Sequence, residues 1–229
     1  MKIVSNESVI KRNSRIGLMA SFISPILFVL SGSTLLNSQK NTSIALVLLI
    51  LGFIFFQTGI AFRKWGRGAE ETLGAALKKL GKEYTLYNFH TPVSHLLVGP
   101  AGYWILIPKY TKGMITYNEE KKKWNVTRTS LINKLFSFMM EGIGKPELEI
   151  IGEADALDRF LQKNWEHDTA PHINAALVFA DEGALVNADN APIPTLHLKK
   201  LREYIRLQEK GNTPPHAELK AFQSLFPIE

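Results

Sequence analysis

Ser94 and His95 set a hydroxyl beside an imidazole, the makings of a nucleophile and its base. Neighbours on an extended strand point to opposite faces, so the two cannot meet there. His167, Asp168 and His172 carry metal-donor atoms, but their spacing across Pro171 matches no ligand motif. Gly142-Ile143-Gly144-Lys145 resembles a phosphate loop only on the surface. Pro146 stands where Ser or Thr is required and the first glycine is missing, so the segment reads as a loop ahead of a helix. Glu70 and Glu71 open a predicted helix, where acids are favourable against the dipole. Lys109 ends an apolar run, the place where a chain re-enters solvent. Lys121-Lys122-Lys123 follows Glu119-Glu120 and reads as a solvated turn. Lys199, Lys200, Arg202 and Arg206 share one predicted helix and are the best candidates for contact with an anion or a lipid, against the simpler alternative of a solvated face. Cysteine is absent, which excludes thiol catalysis, disulfides and Cys-ligated metal.

These residues sit in a segment patterned as an α/β domain. Residues 69–80 carry apolar positions at helical spacing, closed by Gly81. Residues 84–88 and 93–98 read as short strands, and 103–107 as a strand buried on both faces. The turn at 99–102 is too short for a parallel crossover, so the strands around it should be antiparallel neighbours. Gly113 opens a further excursion, and 123–128 returns as an exposed edge strand. Residues 130–144 are strongly apolar and suit a short helix packed on the domain or against lipid. Pro146–Asn164 reads as a helix, with proline near its start and acids crowding its first half. Strands at 172–179 and 184–187 and helices at 196–208 and 217–225 complete a mixed sheet flanked by helices.

The first 67 residues differ in kind. Residues 16–36 and 43–62 are charge-free runs of 21 and 20 residues. At about 1.5 Å per residue each spans about 30 Å, the thickness of a bilayer's hydrocarbon. Only residues 37–42 separate them, so a transmembrane helical hairpin is expected. Lys11, Arg12 and Arg15 ahead of the first run also fit a signal peptide, but the run is long for one and residues 31–33 make a poor cleavage site. Lys2, Lys11, Arg12 and Arg15 precede the hairpin, Arg63, Lys64 and Arg67 follow it, and Lys40 alone lies in its loop. Both ends should therefore face the cytoplasm, with Trp65 as an interfacial anchor. The net charge of +6 belongs to this part, because residues 1–67 carry +7 and residues 68–229 carry −1. Bulk charge is thus no sign of a nucleic-acid-binding domain, although the flanking bases can meet anionic lipid. The expected organisation is 1–67 for the membrane segment and 68–229 for a cytoplasmic domain.

Within that domain the sequence resembles a known family. Gly68-Ala69-Glu70-Glu71 opens a helix, and His95-Leu96-Leu97-Val98-Gly99-Pro100-Ala101-Gly102-Tyr103-Trp104-Ile105-Leu106-Ile107-Pro108-Lys109 follows, then Gly113. These residues resemble the nuclease-related, or NERD, domain, from about Gly68 to Phe179 and most specifically over 93–113. The resemblance implies a restriction-endonuclease-like fold with an αβββαβ core. It also implies metal-assisted phosphodiester hydrolysis, in which two strand carboxylates hold Mg²⁺ and a lysine offsets charge on the phosphate. Carried over by position, the helix glutamate is Glu71, or else Glu70. The strand aspartate is replaced by Ser94, and Glu-x-Lys has become Ile107-Pro108-Lys109. Glu71 and Lys109 are then remnants of a catalytic set, with no metal ligand and no cofactor implied. The rival expectation is an Mg²⁺-dependent nuclease drawing ligands from Glu71 with Glu119 or Glu149. Membrane lipid is an expected partner and nucleic acid a possible one.

Overall fold

The computed structural model describes residues 1–37, 41–62, 68–128, 143–167, 170–211 and 213–227. Two helices form where the charge-free runs require them: α1, Glu7–Asn37, and α2, Thr42–Phe62. Both are long and apolar enough to cross a membrane. Helix α1 begins nine residues before its charge-free run, and its polar first turns carry an exposed Glu7–Lys11 pair at 2.9 Å. The two pack through small residues. Gly17, Ala20, Ser24 and Ser31 of α1 and Ala45, Gly52 and Gly59 of α2 are all buried. A Cβ on Gly59 would lie 2.7 Å from Ser21 Oγ, and one on Gly52 would lie 3.0 Å from the Phe28 ring. Close backbone approach of this kind is how helices associate where no water drives them together. Ser31 Oγ donates to the Ala45 carbonyl at 2.7 Å across the pair. Leu18, Phe22, Val29, Leu46 and Phe53 point outward and are exposed, a surface suited to lipid.

The chain divides into two units, and the first five residues belong with the second: one unit holds residues 6–69, the other residues 1–5 and 70–229. In this second unit Lys2–Ser5 forms strand β1. It is followed in sequence by α3 (Ala69–Leu77), β2 (Thr85–Asn88), β3 (His95–Gly99) and β4 (Gly102–Lys109). Next come β5 (Gly113–Asn118), β6 (Lys123–Thr127), α4 (Pro146–Asn164), β7 (Ile173–Phe179) and β8 (Ala184–Asn187). The chain ends with β9 (Thr195–His197), α5 (Leu198–Gln208) and α6 (His216–Ser224). The main sheet runs β1-β2-β3-β4-β7-β9, and a smaller one runs β6-β5-β8. Strands β3 and β4 are antiparallel neighbours with Gly99 opposite Gly102, as the short turn requires. Gly102 has φ +90, a left-handed value that glycine adopts without strain. Strands β4, β7 and β9 run parallel, with Ile107 opposite Leu177 and Lys109 opposite Phe179.

Alternation along β4 explains its unbroken apolar run. Tyr103, Ile105 and Ile107 face one layer, with Leu157 and Leu161 of α4 and Leu219 and Phe222 of α6. Trp104 and Leu106 face the other, with Leu73 and Leu77 of α3 and Leu201 and Ile205 of α5.

Several expectations change. Strand β1 was not foreseen; it pairs parallel with β2 through four residues, Lys2 opposite Thr85 to Ser5 opposite Asn88. It is held further by Asn88 Nδ2 donating to Ser5 Oγ at 3.0 Å, and Val4 enters the core. Ile3 packs on Gly74, where an added Cβ would lie 2.9 Å from Ile3 Cδ1. The excursion after Gly113 is a strand, β5, joined to the expected edge strand β6. Helix α3 stops at Leu77 rather than 80, and the start of the predicted helix at 196 is instead strand β9. The helix expected at 130–144 falls almost wholly outside the described residues; Ile143, at its end, is in the core. Arg63, Lys64, Trp65 and Arg67 and the loop residue Lys40 also lie outside them.

Candidate functional site

Lys109 closes β4 on the layer that α4 covers, and its side chain is buried there. A lysine almost never sits in an interior unpaired. Its partner is Glu149 of α4, whose two carboxylate oxygens accept from Nζ at 2.6 and 2.8 Å. One turn further along α4, Glu153 accepts from Ser94 twice, from Oγ at 2.6 Å and from the backbone N–H at 3.1 Å. Residues four apart share a helix face, so α4 offers both carboxylates to the β3–β4 pair at once. Glu147, in the first turn, takes the Trp124 indole N–H of β6 at 2.5 Å. Pro146 at the start of α4 and the acids behind it suit a helix N-terminus independently of these contacts.

Glu71, the other residue expected from the resemblance, is exposed in the first turn of α3. Because α3 covers the opposite layer of the sheet, the fold does not bring Glu71 to Lys109. Glu70 is half-buried on the same turn. Glu119 is exposed beyond the end of β5. Of the rival ligands, then, only Glu149 reaches Lys109, and it does so as its counter-ion. Ile107 is buried among apolar side chains of the α4 layer. Its neutral side chain and the Ser94 hydroxyl replace the anionic oxygens Mg²⁺ would need, while the oxygens of Glu149 and Glu153 are already engaged with Lys109 and Ser94. This donor set does not fit the ion.

The remaining candidates separate in the same way. His95 Nδ1 lies 2.9 Å from Asn88 Oδ1 and its ring meets Phe89, while Ser94, just before β3, turns to Glu153 of α4, so each has a partner other than its neighbour. His167 packs on Trp165 with ring centres 4.7 Å apart, His172 is exposed, and Asp168 lies outside the described residues. Among the described residues no three His, Asp or Glu side chains stand close enough to hold a metal. Lys121 and Lys122 lie in the exposed β5–β6 turn, tied by Lys121 N–H to Asn118 Oδ1 at 2.7 Å, and Lys123 is the exposed first residue of β6. On α5, Lys199 and Lys200 are exposed and Arg202 is half-buried. Arg206 donates to the Lys79 carbonyl at 2.9 Å, which fixes the chain just beyond α3. Sequence reasoning missed Glu153; its signal was a carboxylate four residues after Glu149 on a helix already predicted. No protein-family model, curated protein or solved structure matches this chain.

Proposed function

We propose that this chain is a membrane-anchored, NERD-like domain of restriction-endonuclease-like fold, facing the cytoplasm and serving as a binding or tethering module without hydrolytic activity. One observation carries the anchoring: strand β1 precedes the hairpin, β2 follows it, and the two are paired in one sheet. A chain that leaves and re-enters a single folded unit through two spanning helices must have both hairpin ends on one side. Four basic residues before the hairpin and three after it, against one in its loop, support the cytoplasm as that side. With the β5–β6 hairpin standing as an insertion after β4, the order α3, β2, β3, β4, α4, β7 supports the αβββαβ core that the resemblance implies. The lack of hydrolysis rests on Ser94 and Ile107, and on a Lys109 held by Glu149.

The absence of native cysteine makes topology directly testable. In intact cells, Ser38→Cys should react with a membrane-impermeant maleimide, and Lys200→Cys should react only after lysis. Labelling of the Lys200→Cys protein in intact cells would overturn the orientation. For the chemistry, the purified chain should leave supercoiled and single-stranded substrates intact with Mg²⁺ or Mn²⁺. Metal-dependent cleavage abolished by Glu149→Ala would restore the nuclease reading.

A further inference from the structure

At the opposite end of β4 from Lys109, Gly211 and Thr213–Pro215 line, with the first residues of β4 and β7, an open cleft of about 360 Å³. That is within the range of small-molecule sites, roughly 300–1,000 Å³. Its polar lining includes one acid and no strong base, with the Thr213 hydroxyl beside it. Glu218 is the carboxylate, Asn174 and Gln208 are amides, His172 is the imidazole, and neither Lys nor Arg contributes among the described residues. Tyr103, buried beneath, donates its hydroxyl to one Glu218 oxygen at 3.0 Å. Burial, and then the hydrogen bond to the carboxylate, hold the Tyr103 phenol well above its ordinary pKa, so the tyrosine keeps its proton as the donor. The second Glu218 oxygen and the Asn174 and Gln208 amides make no hydrogen bond among the described residues. Half-buried, these groups remain accessible to a ligand, whose donors the carboxylate and the two amide oxygens can accept.

We propose that this cleft binds a guanidinium group, through the Glu218 carboxylate with the Asn174 and Gln208 carbonyl oxygens around it. A planar fork of N–H donors matches several dispersed acceptors better than a compact ammonium does. A phosphate or carboxylate would meet Glu218 with no lining cation to offset it. The site uses neither Glu71 nor Lys109 and lies at the other end of β4 from Lys109, although Ala101–Trp104 of its lining fall within the segment that carries the resemblance.

The test uses the purified full chain in detergent micelles and calorimetric titration with two probes, agmatine and an end-blocked Ala-Arg-Ala peptide, with inorganic phosphate as the anionic control. Saturable binding of a guanidinium probe is expected, weakened about tenfold or more by Glu218→Gln and by a smaller factor in Gln208→Ala. Tighter binding of agmatine would mark a free small molecule as the source, and tighter binding of the peptide an arginine side chain of a partner. If Glu218→Gln loses its fold, Gln208→Ala, at a residue with no side-chain hydrogen bond to lose, carries the decision. The proposal is overturned if neither probe binds at millimolar concentration, if the variants bind as well as the wild type, or if phosphate binds in place of the probes.

Discussion

The two ends of strand β4 make opposite use of their polar residues. At the C-terminal end, Lys109 and Ser94 are each matched to a carboxylate of α4, and each carboxylate uses both of its oxygens. At the N-terminal end, Glu218 takes one hydrogen bond from Tyr103 and leaves the rest of its capacity open beside two unpaired amides. Residue type alone would place the chemistry at the first end, where the lysine lies. Hydrogen-bond bookkeeping points to the second, because Glu218 accepts one hydrogen bond where Glu149 and Glu153 each accept two, and so keeps more of its capacity for a ligand.

The largest effect expected to sharpen this contrast comes from placing an acid at the C-terminal end. Ile107→Glu puts a carboxylate into the apolar α4 layer and should cost about 3 kcal/mol or more of unfolding free energy in urea titration. If the protein instead gains both stability and Mg²⁺ binding, the end is a metal site lacking one ligand, and the comparison fails.

Next in size is Glu149→Ala, which leaves the buried Lys109 ammonium without its counter-ion. Because Glu149 itself is nearly half exposed, water softens the loss, and about 1–3 kcal/mol is expected. Lys109→Met removes the charge while keeping the volume and should stay within about 1 kcal/mol of wild type. If Lys109→Met proves the costlier of the two, the pair is more than a structural ion pair.

Alkali tests the phenols of the α4 layer. Burial pushes Tyr87 from 10.0 up to about 12, and Tyr103 shifts in the same direction. The folded state therefore holds these protons more tightly than the unfolded state. Their contribution is intact below pH 10 and is lost as the pH climbs from 10 toward about 12. Circular dichroism across that interval should show stability falling, and Tyr103→Phe should flatten the fall relative to its own neutral-pH value. A flat wild-type profile would mean that the phenols are not buried as described.

The smallest effect is expected at the open end. Glu218→Gln keeps an acceptor for Tyr103 and should change thermal stability by no more than about 1 kcal/mol. A larger loss would show that Glu218 serves the fold rather than a ligand.

Much of this architecture was legible in the residues. The charge-free runs marked α1 and α2 because a bilayer's thickness fixes how many apolar residues are needed, a local requirement. Gly99–Gly102 fixed the antiparallel β3–β4 pair because a turn that short allows nothing else. Pro146 and the acids after it placed α4 to the residue. Only the tertiary structure could reveal β1: four residues form a strand through a partner more than eighty positions away, and no periodicity in so short a segment announces that pairing. The same holds for the fate of Lys109. Its position at a strand end was visible in the sequence, but whether it meets a metal, solvent or Glu149 depends on which helix covers which face of the sheet. That choice is made by packing over the whole domain, since apolar patterning says that both faces of β4 are covered without saying by what.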